Sequence, residues 1–104
     1  MIHDLTDENF LKQIGTGLPI LVDFSATWCG PCKQLEPVLK SISSDHASRL
    51  RVGKIDIDAS PATADAHNVR SVPTLLLFKN GKVIDSFVGA APRSKLEAWL
   101  TKHI

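Results

Sequence analysis

Two cysteines stand three residues apart in Trp28-Cys29-Gly30-Pro31-Cys32, and the chain has no others. A close pair of thiols can lock a short loop, supply half of a metal site, or interconvert between dithiol and disulfide. Spacing bears on the choice. Residues three apart inside a helix have Cβ atoms about 5–6 Å apart, whereas a disulfide needs roughly 3.5–4.5 Å. In the first turn of a helix the backbone is free to tighten, so a pair placed there closes and reopens without disturbing the rest. Unpaired N–H groups and the positive end of the helix dipole also favour a thiolate there. Cys29, at the helix end, feels this more than Cys32 one turn in. Cys29 is therefore the expected nucleophile and Cys32 the resolving thiol. Gly30 lets a partner backbone approach closely, and Pro31 lacks an N–H where none is needed.

The other two uses fit less well. A disulfide closing so short a loop stabilises by only about 2 kcal/mol in the chain-entropy model. A zinc site needs two further ligands. His46 follows Cys32 at a tolerable distance, but His67 lies far outside the usual close spacing, so no metal is expected. Two ionisable residues interrupt apolar sequence elsewhere. Asp23, within Ile20-Leu21-Val22-Asp23-Phe24, is either a strand-end carboxylate turned to solvent or a buried acid. In the second case desolvation raises its pKa, which suits it to accept the proton of Cys32. Lys54 interrupts Val52-Gly53-Lys54-Ile55; most such lysines are solvated, with their stems over apolar neighbours.

These residues need elements to hold them. Residues 18–24 are nearly all apolar, as a strand buried on both faces is. Leu35, Val38, Leu39 and Ile42 recur at helical spacing, so an amphipathic helix begins close to Cys29, with Pro37 bending it. Before the cysteines, residues 2–5 read as a short strand. Thr6 or Asp7 then caps a helix carrying Phe10, Leu11 and Ile14 that ends near Gly15 and Gly17. Residues 50–57 form a second buried strand, and Ser60-Pro61 starts a helix with a capping hydroxyl and a first-turn proline. Residues 74–79, Asn80-Gly81 and residues 82–88 read as a hairpin. Pro92 opens a last helix with Leu96, Trp99 and Leu100 on one face. Trp99 should fill the interface beneath that helix, and His3, His67 and His103 should be exposed. Strands alternating with helices, closed by a hairpin and a helix, give an α/β sandwich with a mixed sheet.

The chain has 104 residues, 43% of them hydrophobic and 22% charged, with a net charge of +1. That is one ordinary globular domain over residues 1–104, without repeats or low-complexity tracts. Near-neutral charge supplies no field for nucleic acid or anionic lipid, and no apolar run approaches the roughly 20 residues that span a bilayer. No G-x-G-x-x-G or P-loop occurs. The start, Met-Ile-His-Asp-Leu-Thr-Asp-Glu, is polar and acidic, unlike a secretory signal. A cytoplasmic location follows as the expectation, and in that reducing compartment a close cysteine pair is more often catalytic or metal-binding than structural.

Taken together, several segments resemble the thioredoxins, and they do so along the whole chain. They are Leu21-Val22-Asp23-Phe24, Trp28-Cys29-Gly30-Pro31-Cys32-Lys33, Pro37, Val72-Pro73-Thr74-Leu75-Leu76-Leu77-Phe78-Lys79-Asn80-Gly81, and Val88-Gly89-Ala90. The resemblance implies the thioredoxin fold, a central mixed β-sheet flanked by helices on both faces. It implies that Asp23 sits behind the cysteine pair as proton acceptor and donor, and that Lys54 approaches Asp23 and biases its titration. It implies a cis peptide before Pro73, which would turn the Val72 backbone outward to pair with an extended substrate segment. Trp28, Gly30, Pro31, Val72, Gly89 and Ala90 would then form a flat apolar docking patch around Cys29. Two positions depart from the family pattern: Ser25, where an aromatic is common, and Glu36, where many relatives are apolar. Neither is expected to touch the chemistry.

The implied activity is general protein-disulfide reduction by a monomer with no bound cofactor beyond the Cys29–Cys32 disulfide. Disulfide-containing proteins are the substrates, and an NADPH-dependent flavoprotein, thioredoxin reductase, supplies the electrons. Two rivals are distinguishable. A disulfide oxidase or isomerase usually carries His between its cysteines, where Gly30-Pro31 stands here. A scaffold of the same fold would not need Cys29, Cys32, Asp23 and Pro73 together.

Overall fold

A strand apolar at nearly every position has to lie inside a sheet that is covered on both faces. β2 (Ile20–Ser25) is such a strand, buried along its whole length. The computed structural model describes residues 2–15 and 17–104, and in it β2 is the middle of five strands. Around it follow, in chain order, β1 (Ile2–Leu5), α1 (Phe10–Ile14), α2 (Gly30–Asp45), β3 (Arg51–Asp56), α3 (Pro61–Ala66), β4 (Thr74–Lys79), β5 (Lys82–Val88) and α4 (Arg93–Thr101). The strand order is β1-β3-β2-β4-β5. β3 runs parallel to both β1 and β2, while β4 is antiparallel to β2 and to β5.

Alternation along the strands divides the core into two. Ile20, Val22, Phe24, Leu76 and Phe78 pack against Phe10 and Ile14 of α1 and Ala64 of α3. Leu21, Val52, Leu75 and Leu77 pack on the opposite face against Leu35, Leu39 and Ile42 of α2 and Leu96 and Leu100 of α4. Asp23 has the parity of Leu21, and Lys54 that of Val52. Both therefore belong to the face covered by α2.

The hairpin forms as the Asn80-Gly81 pair requires: both residues have positive φ, 54° and 78°, the signature of a tight turn matched to strand twist. Lys79 pairs with Lys82, and a bulge beside Leu77 leaves Ile84 as the extra residue of β5. α2 runs unbroken through Pro37. Trp99 packs beneath α4, with its ring 5.4 Å from that of Phe87.

Local pattern misjudged several details. The regular helix α1 starts only at Phe10, because Thr6 caps a separate turn. The Thr6 N–H donates to Asn9 Oδ1 at 2.8 Å, and the Asn9 N–H donates back to Thr6 Oγ1 at 3.2 Å. Leu11 is 80% exposed rather than part of the core. Ser60 does not cap α3 with its hydroxyl; its Oγ accepts from the Asp7 N–H at 3.3 Å. The cap comes instead from Asp7, whose carboxylate accepts the Ala62 and Thr63 N–H groups at 3.2 and 2.9 Å and the Thr63 hydroxyl at 2.7 Å. The three histidines expected at the surface are partly buried. The His67 ring stands among Phe10, Phe24 and Phe78, with centroids 5.3, 6.1 and 5.4 Å away. His103 Nε2 lies 2.8 Å from Asp85 Oδ2.

The Thr63 hydroxyl and the α3 amides hold the Asp7 carboxyl below its usual range. A depressed carboxyl pKa contributes stability that is present above the unfolded pKa and lost as pH falls through the folded one. Asp7→Ala is therefore expected to lower the thermal midpoint at pH 7, with the deficit narrowing as pH falls below the ordinary aspartate value of about 4. A pH-independent deficit, or none at pH 7, would contradict this capping role.

Candidate active site

The four residues Ala26, Thr27, Trp28 and Cys29 carry the chain from the end of β2 to the start of α2, so the cysteine pair lies over the end of the most buried strand. Cys29 and Cys32 are disulfide-bonded, with Cα atoms 5.3 Å apart. Cys29 is the N-cap of α2, in an extended conformation (φ −91°, ψ 112°), and its Sγ accepts the Cys32 N–H at 3.2 Å. Its sulfur thus takes the place that a Ser or Asp oxygen takes at other helix starts. Both cysteines are only 5% exposed. His46 caps the far end of α2 and lies 2.8 Å from Glu97. About 20 Å of helix separates it from Cys32, the nearer cysteine, so it contributes nothing to a site there.

A second loop closes over the pair. The Val72–Pro73 peptide is cis, and the Val72 carbonyl oxygen lies 3.9 Å from Cys29 Sγ. Val72 packs with Ala26, Cys29 and Cys32. Gly89, at φ 93°, donates its N–H to the Pro73 carbonyl at 2.8 Å, tying the end of β5 to this loop. Trp28 is 66% exposed, and its indole Nε1–H donates to Asp58 Oδ2 at 2.7 Å. The Asp58 contact was not anticipated, since nothing local links residues 30 apart. Gly30, Pro31 and Ala90 are exposed. Ala90 lines a shallow depression with Gln34 and Leu35 and so lies at the margin of the patch.

On the sheet face covered by α2, Asp23 and Lys54 are register partners on adjacent parallel strands. Asp23 is 2% exposed. Burial pushes its carboxyl up to about 7, Lys54 pulls against this, and the Glu36 carboxylate adds to it. Asp23 Oδ1 and Ser25 Oγ have no hydrogen-bond partner among the described residues. The Lys54 ammonium lies 3.5 Å from Glu36 Oε2. A cleft of about 370 Å³ opens here, lined by Ser25, Cys32, Lys33, Glu36, Lys54 and Asp56 among others. The two family departures, expected to stand apart from the chemistry, both face this cleft. The signal was available: Glu36 follows Cys32 by four residues on one helix face, and Ser25 follows Asp23 by two on one strand face.

The raised Asp23 pKa carries a stability consequence. An acid whose folded pKa is raised stabilises the fold only while protonated, so the contribution disappears between the unfolded value near 4 and the folded value near 7. Ionised Asp23 then costs about 4 kcal/mol. The stability of Asp23→Asn relative to the parent is expected to grow from pH 4 to pH 7 and to be level above about pH 8. Denaturant unfolding of the oxidised proteins measures it, and a difference constant across this range would contradict a buried, ionising Asp23.

Comparison with known proteins agrees with this geometry. The thioredoxin family model matches residues 1–102. A thioredoxin of Porphyra purpurea is 42% identical over 104 residues, covering 99% of this chain and 97% of its own. Thioredoxin C-2 of Corynebacterium nephridii is 44% identical over 104 residues, covering 99% and 96%. A thioredoxin of Staphylococcus haemolyticus is 44% identical over 103 residues, covering 99% and 98%. With a redox disulfide at the start of α2 and a match along its whole length, the chain belongs to the thioredoxin family of thiol–disulfide oxidoreductases.

Proposed function

We propose that reduced Cys29 attacks substrate disulfides and that Cys32 completes the reaction with Asp23 as its proton acceptor. The observation that carries this is the N-cap position of Cys29: of the two sulfurs, it accepts a free amide of the helix terminus and so gains most from becoming a thiolate. The Cys29 thiolate displaces one substrate sulfur, which leaves as a thiolate and takes a proton from water, and a mixed disulfide forms. Cys32 then gives its proton to Asp23 and attacks Cys29 Sγ, releasing the second substrate thiol. Two electrons have passed to the substrate, and the Cys29–Cys32 disulfide remains. Lys54, the register partner of Asp23 on the neighbouring strand, biases when that carboxyl is ready to accept.

Substrate docks on Trp28, Gly30, Pro31, Val72, Gly89 and Ala90, beside Pro73, which is itself buried and shapes the loop, with the Val72 backbone offering pairing to an extended segment. Supporting this is the exposure of Trp28 and the nearness of the Val72 carbonyl to Cys29 Sγ. Residues 1–104 act as one monomeric domain in the cytoplasm without a resident cofactor, and an NADPH-dependent thioredoxin reductase returns the electrons. No helix among the described residues is long and apolar enough to cross a membrane.

Cys32→Ser is expected to accumulate substrate proteins disulfide-linked to Cys29, seen as adducts on non-reducing gels, and Cys29→Ser to accumulate none. The opposite pattern would reverse the two roles. In insulin reduction driven by dithiothreitol, both variants should fall to the dithiothreitol background while the parent exceeds it. Parent activity at that background would indicate a scaffold rather than a reductase. NADPH oxidation coupled through a thioredoxin reductase tests the electron donor.

A further inference from the structure

Glu36 stands one helical turn beyond Cys32 on α2, over the face of the sheet that carries Asp23 and Lys54. Lys54 is the direct strand neighbour of Asp23, and its long side chain has the reach to fold back on the carboxylate. Instead its Nζ lies 3.5 Å from Glu36 Oε2. We propose that Glu36 is a positioning residue for proton transfer: it holds the Lys54 ammonium at the cleft and away from Asp23, so that Asp23 remains a base strong enough to take the Cys32 proton. The proposal rests on the reading of Asp23 as that acceptor.

The charges around Asp23 leave this role to few groups. From β3 come Lys54 and, two residues on, Asp56; from α2 come Lys33 and Glu36, which line the same cleft as Cys32. The β4 residue opposite Asp23 is Leu75, which carries no charge. Of these charges, the Lys54 ammonium pulls the Asp23 carboxyl down and the Glu36 carboxylate pushes it up. Lys40 also lies 3.9 Å from Glu36, but it is two-thirds exposed. Side chains of Glu36 and Lys54 are 38% and 36% exposed. Their pairing is consequently screened by salt, and the effect should be read at low ionic strength.

The experiment follows the second thiolate released when the reduced protein meets an aromatic disulfide, by stopped flow, from pH 5.5 to 9. This release is the resolution step, and its midpoint belongs to the Asp23–Cys32 pair. Glu36→Gln is expected to move the midpoint down by roughly half to one unit, because Lys54 is freed toward Asp23 and a negative charge is lost. Glu36→Asp should restore most of the shift. In a Lys54→Met background, the Glu36→Gln shift should be clearly smaller, which isolates the part carried by Lys54. A Glu36→Gln midpoint equal to or above the parent value would overturn the proposal, as would an equal shift with and without Lys54. Asp23→Asn separates the two levels of inference. If it leaves the parent profile unchanged, the acceptor role itself fails and this proposal with it. If it abolishes the inflection while Glu36→Gln leaves it in place, only the role of Glu36 fails. Glu36 lies on the helix surface, and thermal unfolding of each variant shows whether the fold is retained.

Discussion

Asp23 stands in a strand from which water is excluded along the whole length, and a carboxylate there is either neutral or charged at substantial cost. The surrounding architecture follows from keeping it there. β3 and β4 flank β2 and pair with Asp23 on both edges, so its backbone cannot swing the residue outward. α2 covers the face on which the carboxylate lies. The short connection between β2 and α2 then brings the helix start, with its two cysteines, directly over the same end of the strand. A helix terminus that favours thiolate and a buried acid that holds a proton near neutrality are thereby joined by one turn of chain.

Beyond its first turn, α2 is anchored along its length to the sheet and to α4. Leu35, Leu39 and Ile42 are almost completely buried against the sheet and α4. Arg93 of α4 reaches across to Ser41 and Asp45 on α2 and to Glu97 on its own helix. The loop at Val72–Pro73, bound through Gly89, closes the other side of the pair and leaves Trp28 exposed.

Local pattern sufficed for what depends on neighbours in sequence. The nearly all-apolar run of residues 18–24 identified a strand buried on both faces, Asn80-Gly81 the hairpin, and the spacing of Leu35, Val38, Leu39 and Ile42 an amphipathic helix. It failed where partners come from far along the chain. Asp7 caps a helix through Thr63, 56 residues away, while Ser60 beside that helix looked like the natural cap. His67 is drawn in by phenylalanines from three other elements. The side of the sheet that Asp23 faces was not readable either. A strand apolar on both faces has no alternation to reveal it, and only the register with Lys54 and the sorting of Leu21 and Val22 into separate cores decide it. Glu36 acquired its meaning in the same way, from a lysine on another element.

The central claim is that burial holds the Asp23 carboxyl in balance between its two protonation states near neutral pH, behind the cysteine pair. The most direct test is a carbon-13 NMR titration of the Asp23 side-chain carboxyl in the oxidised protein, where neither thiol titrates. The account predicts a midpoint of about 7, with the assigned resonance absent in Asp23→Asn. A midpoint near the ordinary aspartate value of about 4 would contradict it.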